Sequence, residues 1–117
     1  MTDMQLSKNF SLSELISSSK AKQYKIDNSP NFDEKLNLLH LAQDVLQPIR
    51  DAWGESISIN SGFRCKQLNR IVNGASNSDH LYGAAADIRT KKNTKAENQR
   101  LFNLILKLAN QGKITCR

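Results

Sequence analysis

Between Ser78 and Asp87 the chain reads Ser-Asp-His-Leu-Tyr-Gly-Ala-Ala-Ala-Asp, and this run limits the fold more than any other stretch. Its histidine, His80, and its last residue, Asp87, stand seven positions apart. On a continuous helix such residues share a face but lie about 10.5 Å apart along the axis. Imidazole nitrogen and carboxylate oxygen are common zinc donors, each held about 2.0–2.2 Å from the metal. His80 and Asp87 can therefore serve one ion only if the chain folds back between them, and Gly83 is the residue that permits it. Ala84, Ala85 and Ala86 make a strand of low propensity. Such a strand needs a packing reason, for instance the close approach of another backbone or of a ligand. The run reads as a loop histidine, a turn and a strand aspartate. A histidine near a glycine is also, more plainly, a turn or surface residue, and spacing alone leaves that alternative standing.

The flanking pattern supplies a scaffold. Ser11-x-x-Glu14 is a capping box that predicts a short helix to about Ser19. The polar stretch Lys20 to Asn31, with Pro30, reads as a loop. From Phe32, apolar Leu36, Leu39, Val45, Leu46 and Ile49 recur at helical intervals and predict a core-facing helix to about Trp53. Pro48 should bend it or tighten its last turn. His40 lies beside that face and reads as structural rather than metal-binding. Ser56 to Asn60 alternates as a half-buried strand, Cys65 to Val72 has the spacing of a short helix closed near Gly74, and Ala85 to Thr90 is a strand carrying Asp87. Thr94-x-x-Glu97 is a second capping box, followed by Leu101, Phe102, Ile105 and Leu108 on one face, with Gly112 at the helix exit. Ile114-Thr115-Cys116 looks like the start of a further strand. Helices mixed with short, non-adjacent strands give an α+β class.

Length and composition narrow the function. A chain of 117 residues is one domain with room for a modest core. No apolar run approaches the ~20 residues of a membrane span, so membrane insertion is not expected. Met1 to Phe10 lacks the apolar segment of a signal peptide, so the product is expected to be cytoplasmic as synthesised. A net charge of +6 favours polyanions, either nucleic acid or the anionic bacterial wall. The cations are scattered, with one short cluster at Lys91, Lys92 and Lys95. The seven aromatic residues, read as mostly core-like, make no stacking platform. A specific nucleic-acid partner is therefore not expected. Cys65 and Cys116 are too few for a disulfide framework or a cysteine zinc site, and both are read as reduced thiols.

At every defined position the run from Ser78 to Asp87 resembles the S-x-H-x-x-G-x-A-x-D motif of the zinc D-alanyl-D-alanine carboxypeptidase and L-alanyl-D-glutamate endopeptidase family. These peptidoglycan-cleaving enzymes are related in fold to the hedgehog signalling domain. Ile57-Ser58-Ile59-Asn60-Ser61-Gly62-Phe63-Arg64 resembles the family strand that ends in Ser-Gly-Tyr-Arg, with Phe63 in place of tyrosine. Leu68-Asn69 and Gly74-Ala75-Ser76-Asn77-Ser78 resemble the segment leading to the histidine. Asn9 to Leu15 and Leu46 to Arg50 look like the opening and the first long helix.

The resemblance implies a small antiparallel sheet packed with helices. It implies a zinc hydrolase of peptidoglycan stem peptides, phage- or prophage-derived as an endolysin that reaches the wall after lysis or through a separate pore, and monomeric. His80 and Asp87 would bind Zn2+, Arg64 would hold the substrate carbonyl or developing oxyanion, and Ser78 would contact substrate or orient the ligand loop. The family's third ligand is a C-terminal histidine, with an acidic general base shortly before it. Neither exists here, since the only other histidine is His40 and the only acidic residue after Asp87 is Glu97. The expectation is thus a single peptidase-like domain over 1–117 that lacks its C-terminal strands. A catalytically inactive wall-binding or structural module on the same scaffold is the alternative.

Overall fold

A computed structural model describes residues 4–76 and 78–114. The expected strand at Ile114-Thr115-Cys116 falls largely outside the described residues, as does Cys116. Strands β1 (Gln5–Ser7) and β2 (Phe10–Ser11) form a hairpin that feeds α1 (Leu12–Ile16) and α2 (Ser19–Gln23). A long helical run follows: α3 (Phe32–Leu41), a π-helical turn (Ala42–Leu46) and α4 (Gln47–Trp53). Next come β3 (Ile57–Ser61), α5 (Lys66–Ile71), a 3₁₀ turn (Asp79–Tyr82), β4 (Asp87–Thr90) and α6 (Lys95–Asn110). The class is α+β, with helices around two small antiparallel sheets, β1–β2 and β3–β4. No helix among the described residues is long and apolar enough to cross a membrane.

Two apolar clusters hold these elements together. One joins Leu6, Phe10, Leu15, Leu38, Ala42, Leu46 and Phe63. The other joins Ile49, Ile57, Leu101, Leu108 and Ile114. Ile57, Ile59 and Ile88 share one face of the β3–β4 ladder, and Ile88 packs against both clusters, so the two meet along that face. Its register pairs Ile57 with Thr90, Ser58 with Arg89, Ile59 with Ile88 and Ser61 with Asp87, with an irregularity after Ile59.

The capping chemistry forms as the sequence predicts. Ser11 and Glu14 make the reciprocal box at α1, and Thr94 accepts the Glu97 N–H at 3.1 Å to open α6. The Glu97 carboxylate pairs with Arg100 at 3.0 Å.

Several expectations are corrected. The first helix stops at Ile16 because Ser17 is extended, and the supposed loop after it holds α2. That helix starts where the Ser18 hydroxyl accepts the Ala21 N–H at 3.2 Å, and the buried Ala21 side chain anchors it. The long helix does run to Trp53, but Leu36 is 43% exposed. Its buried positions are Leu38, Ala42, Leu46 and Ile49. Pro48 acts before its own position: it lacks an N–H and its ring crowds the carbonyl four residues back. The turn ahead of it is widened, with the Gln47 N–H bonded to the Ala42 carbonyl, five residues earlier.

Strand β4 begins at Asp87, not Ala85, so the alanines lie ahead of the ladder. Nor are the aromatics mostly core residues: Phe10 and Phe63 are buried, whereas Tyr24, Phe32, Tyr82 and Phe102 are more than half exposed.

Leu38 has no exposed surface and sits where the first cluster meets the turn that carries His80. Leu38→Ala should cost about 2–5 kcal/mol, the usual range for emptying a well-packed leucine site. Urea unfolding followed by circular dichroism measures it.

Candidate metal and substrate site

The end of the β3–β4 ladder brings the motif together. On one strand β3 ends at Ser61 and is followed by Gly62; on the other, β4 starts at Asp87, directly across from Ser61. His80 arrives from the connecting segment on the 3₁₀ turn. The Ser78 hydroxyl caps that turn by accepting the His80 N–H at 3.2 Å. Gly83 closes it with φ of 74°, in the left-handed region, and a Cβ there would stand 2.7 Å from the Glu34 carbonyl oxygen. Only glycine satisfies both conditions. Helix α3 braces the same turn through the Asn37 amide, which donates to the Tyr82 carbonyl at 2.8 Å. The fold-back required by the seven-residue spacing is therefore built from a capped turn, a glycine and one helix face.

His80 is buried, and its Nδ1 lies 2.6 Å from the Gly62 carbonyl oxygen. A carbonyl can only accept, so Nδ1 carries the proton. In the neutral ring Nε2 then presents its lone pair towards Asp87 Oδ2, 3.6 Å away. Two donors on one tetrahedral ion, each about 2.0–2.2 Å from it, stand about 3.3–3.6 Å apart. The pair therefore fits a zinc-sized cation between two lone-pair donors. A bond of this kind from Nδ1 to a carbonyl is what fixes ring orientation in metal-binding histidines generally. The set is a partial one: among the described residues no group of three or more His, Cys, Asp or Glu side chains could hold a metal.

Arg64 and Ser78 belong to the same cluster. The Arg64 N–H donates to the His80 carbonyl at 3.0 Å, and its Nη2 donates to the Ser78 hydroxyl at 3.2 Å. Ser78 Oγ thus accepts from both the histidine backbone and the guanidinium. Arg64 makes no ion pair with a described carboxylate, and its Nε is buried without a partner. A surface salt bridge, the plain alternative for such an arginine, is not what holds it.

His40 is exposed and lies elsewhere, with Asp44 in an open cleft between the long helix and the residues Asp79, Tyr82 and Ala84–Ala86. Ala84–Ala86 line that cleft ahead of the ladder, where their small side chains leave it open.

Sequence reasoning missed two contributors, the Gly62 carbonyl and Asn28. Gly62 was readable only as part of a motif. Its role comes from close approach, since a Cβ there would stand 2.2 Å from the Leu15 carbonyl oxygen. Asn28 sits in a polar stretch whose only local signal is the Asp-Asn-Ser turn.

The ring assignment is open to measurement. Imidazole ¹⁵N spectra of the metal-free protein should show neutral His80 as the Nδ1-protonated tautomer. Gly62→Ala should mix the tautomers and lower stability by about 1–3 kcal/mol through overpacking against Leu15.

Two comparisons with known proteins bear on this geometry. The family described as Peptidase M15 matches residues 8–112. The zinc D-Ala-D-Ala carboxypeptidase of Streptomyces albus G is 52% identical over 44 residues, which cover 37% of this chain and 17% of that enzyme. The match thus spans well under a fifth of the curated relative's length. With the family match running from the first hairpin to the end of α6, this chain belongs to the M15 peptidase family.

Proposed function

We propose that this chain carries the metal-binding and substrate-orienting part of a zinc peptidase that cleaves peptide bonds in bacterial peptidoglycan stems. The observation that supports it most is the His80–Asp87 pair: two lone-pair donors 3.6 Å apart, with the histidine ring fixed from behind by Gly62. Membership of family M15 supports the peptidase chemistry, and the name of the Streptomyces relative supports zinc and D-alanyl-D-alanine termini.

Zinc, when bound, supplies Lewis-acid polarisation of a carbonyl and water activation near neutral pH. The remaining work falls to side chains. His80 and Asp87 hold the ion. Arg64, charged and donating in a planar fork, binds a substrate carbonyl, carboxylate or developing oxyanion. Ser78 keeps the guanidinium and the histidine backbone in register. The net charge of +6 draws the protein towards anionic wall polymers.

A catalytic zinc takes three protein ligands, so the third donor and the general base come from outside the described residues. Removal of a terminal D-alanine and internal cleavage after L-alanine both use this half of the site.

Calorimetric titration with zinc tests the reading. The chain should bind zinc weakly, and His80→Ala and Asp87→Ala should each weaken binding by at least about tenfold. Equal binding by wild type and both variants overturns it. Incubation of the product of the complete reading frame with purified peptidoglycan separates the two classes of function. Release of new amino groups marks a peptidase; retention on the wall without release marks a non-catalytic module.

A further inference from the structure

Arg64 is held in place by its backbone rather than by a counter-charge, and the holding group is a residue that neither motif contains. Asn28 is buried, and its carboxamide has partners on both atoms. Nδ2 donates to the Phe63 carbonyl at 3.0 Å and to the Ile16 carbonyl at 2.8 Å. Oδ1 accepts the Cys65 N–H at 2.8 Å. The carbonyl before Arg64 and the N–H after it lie on one edge of an extended residue, and a carboxamide pairs with both as a neighbouring strand would. The Arg64 N–H lies on the opposite edge and is taken by the His80 carbonyl at 3.0 Å. Both edges of Arg64 are therefore closed, one by Asn28 and the other by the metal-ligand turn.

The rest of the bracket is local. Asp27 Oδ1 accepts the Ser29 hydroxyl at 2.6 Å and the Ser29 N–H at 3.1 Å. These bonds, the hydroxyl's above all, hold the Asp27 carboxyl below the usual carboxylate range. They form an Asx turn that presents Asn28 inward. The bond to Ile16 ties the same amide to the end of α1, whose Leu15 carbonyl accepts the Phe63 N–H at 2.7 Å. A carboxylate partner would also have fixed the arginine, but at the expense of its charge. A neutral amide on the backbone fixes the side chain's origin and leaves the guanidinium to a ligand.

We infer that Asn28 is the positioning residue for Arg64, setting the guanidinium against the His80 turn so that it can take an anionic or carbonyl group of the substrate. This rests on the reading of Arg64 as a substrate contact, and the two are tested by separate measurements. The first follows the Arg64 Nε–H by NMR relaxation in wild type, Asn28→Asp and Asn28→Ser. In the folded variants its order parameter should drop below about 0.6, the flexible range, while the wild type stays ordered. An unchanged order parameter in a folded variant overturns the inference.

The second measurement is the affinity of an N-acetylated tripeptide ending in D-alanyl-D-alanine. Arg64→Gln and Asn28→Asp should each weaken it about tenfold, and the double variant should be no weaker than Arg64→Gln alone. Additive losses overturn the positioning role. No loss in Arg64→Gln overturns the substrate reading, and the relaxation data still decide the role of Asn28. Should neither Asn28 variant fold, amide exchange in wild type decides. Protection of the Cys65 N–H equal to that of the Arg64 N–H supports the bracket, and free exchange at Cys65 overturns it.

Discussion

The 2.6 Å bond between His80 Nδ1 and the Gly62 carbonyl is the contact on which the site's arrangement depends. It decides which ring nitrogen is free, and it ties the histidine turn to the end of β3, one residue past the partner of Asp87. The carbonyl can reach the ring because Gly62 packs directly on the Leu15 carbonyl, an approach that a Cβ would block. Strand, turn and first helix are thus fixed to one another within a few backbone atoms. The two apolar clusters meet on one face of the ladder and hold it against the helices, with Ile88 packed into both.

Backbone placement also explains how a cation can sit beside a metal site without being neutralised. Electrostatics alone would pair Arg64 with a carboxylate, yet neither Asp87, 66% exposed, nor any other described acid makes an ion pair with it. Here the main chain fixes the arginine's origin, and the Ser78 hydroxyl takes one of its five N–H groups. Asp87 is left facing His80. One serine oxygen serves both sides of this division, since it also caps the turn that carries the histidine. Loss of that hydroxyl would loosen ligand and guanidinium together, which is why Ser78 belongs with the site though it bears no charge.

What the sequence made legible was local. The Ser11 and Thr94 caps, the fold-back at Gly83 and the strand position of Asp87 all follow from a few neighbouring residues, and each formed as expected. Ala21 and Ala42 escape a hydropathy reading because a buried alanine contributes little to it, which hides α2 and leaves Ala42 off the long helix's core face. Leu39, Val45, Leu46 and Ile49 pack as expected. Leu36 looked as apolar as Leu38, and only the packing of α3 against the histidine turn separates them. Asn28 was invisible for a different reason. Its partners, Ile16, Phe63 and Cys65, are 12 to 37 residues away along the chain, and no periodicity marks a side chain that imitates a strand. The motif named the candidate residues, and their long-range supports appear only with the fold.

If His80 and Asp87 hold an ion as proposed, their unequal exposure sets the direction from which a third donor could approach. The His80 side chain is 11% exposed and the Asp87 side chain 66%. His80 is closed behind by Gly62 and flanked by the Arg64 backbone, so a third donor cannot come from the histidine side without breaking the Nδ1 bond or the Arg64–His80 pairing. It has to come over the Asp87 edge of the ladder, where the carboxylate faces solvent. On the proposed reading the guanidinium would meet a substrate from the histidine side. A peptide carbonyl that reaches both Arg64 and the ion must lie between the incoming donor and the His80 turn.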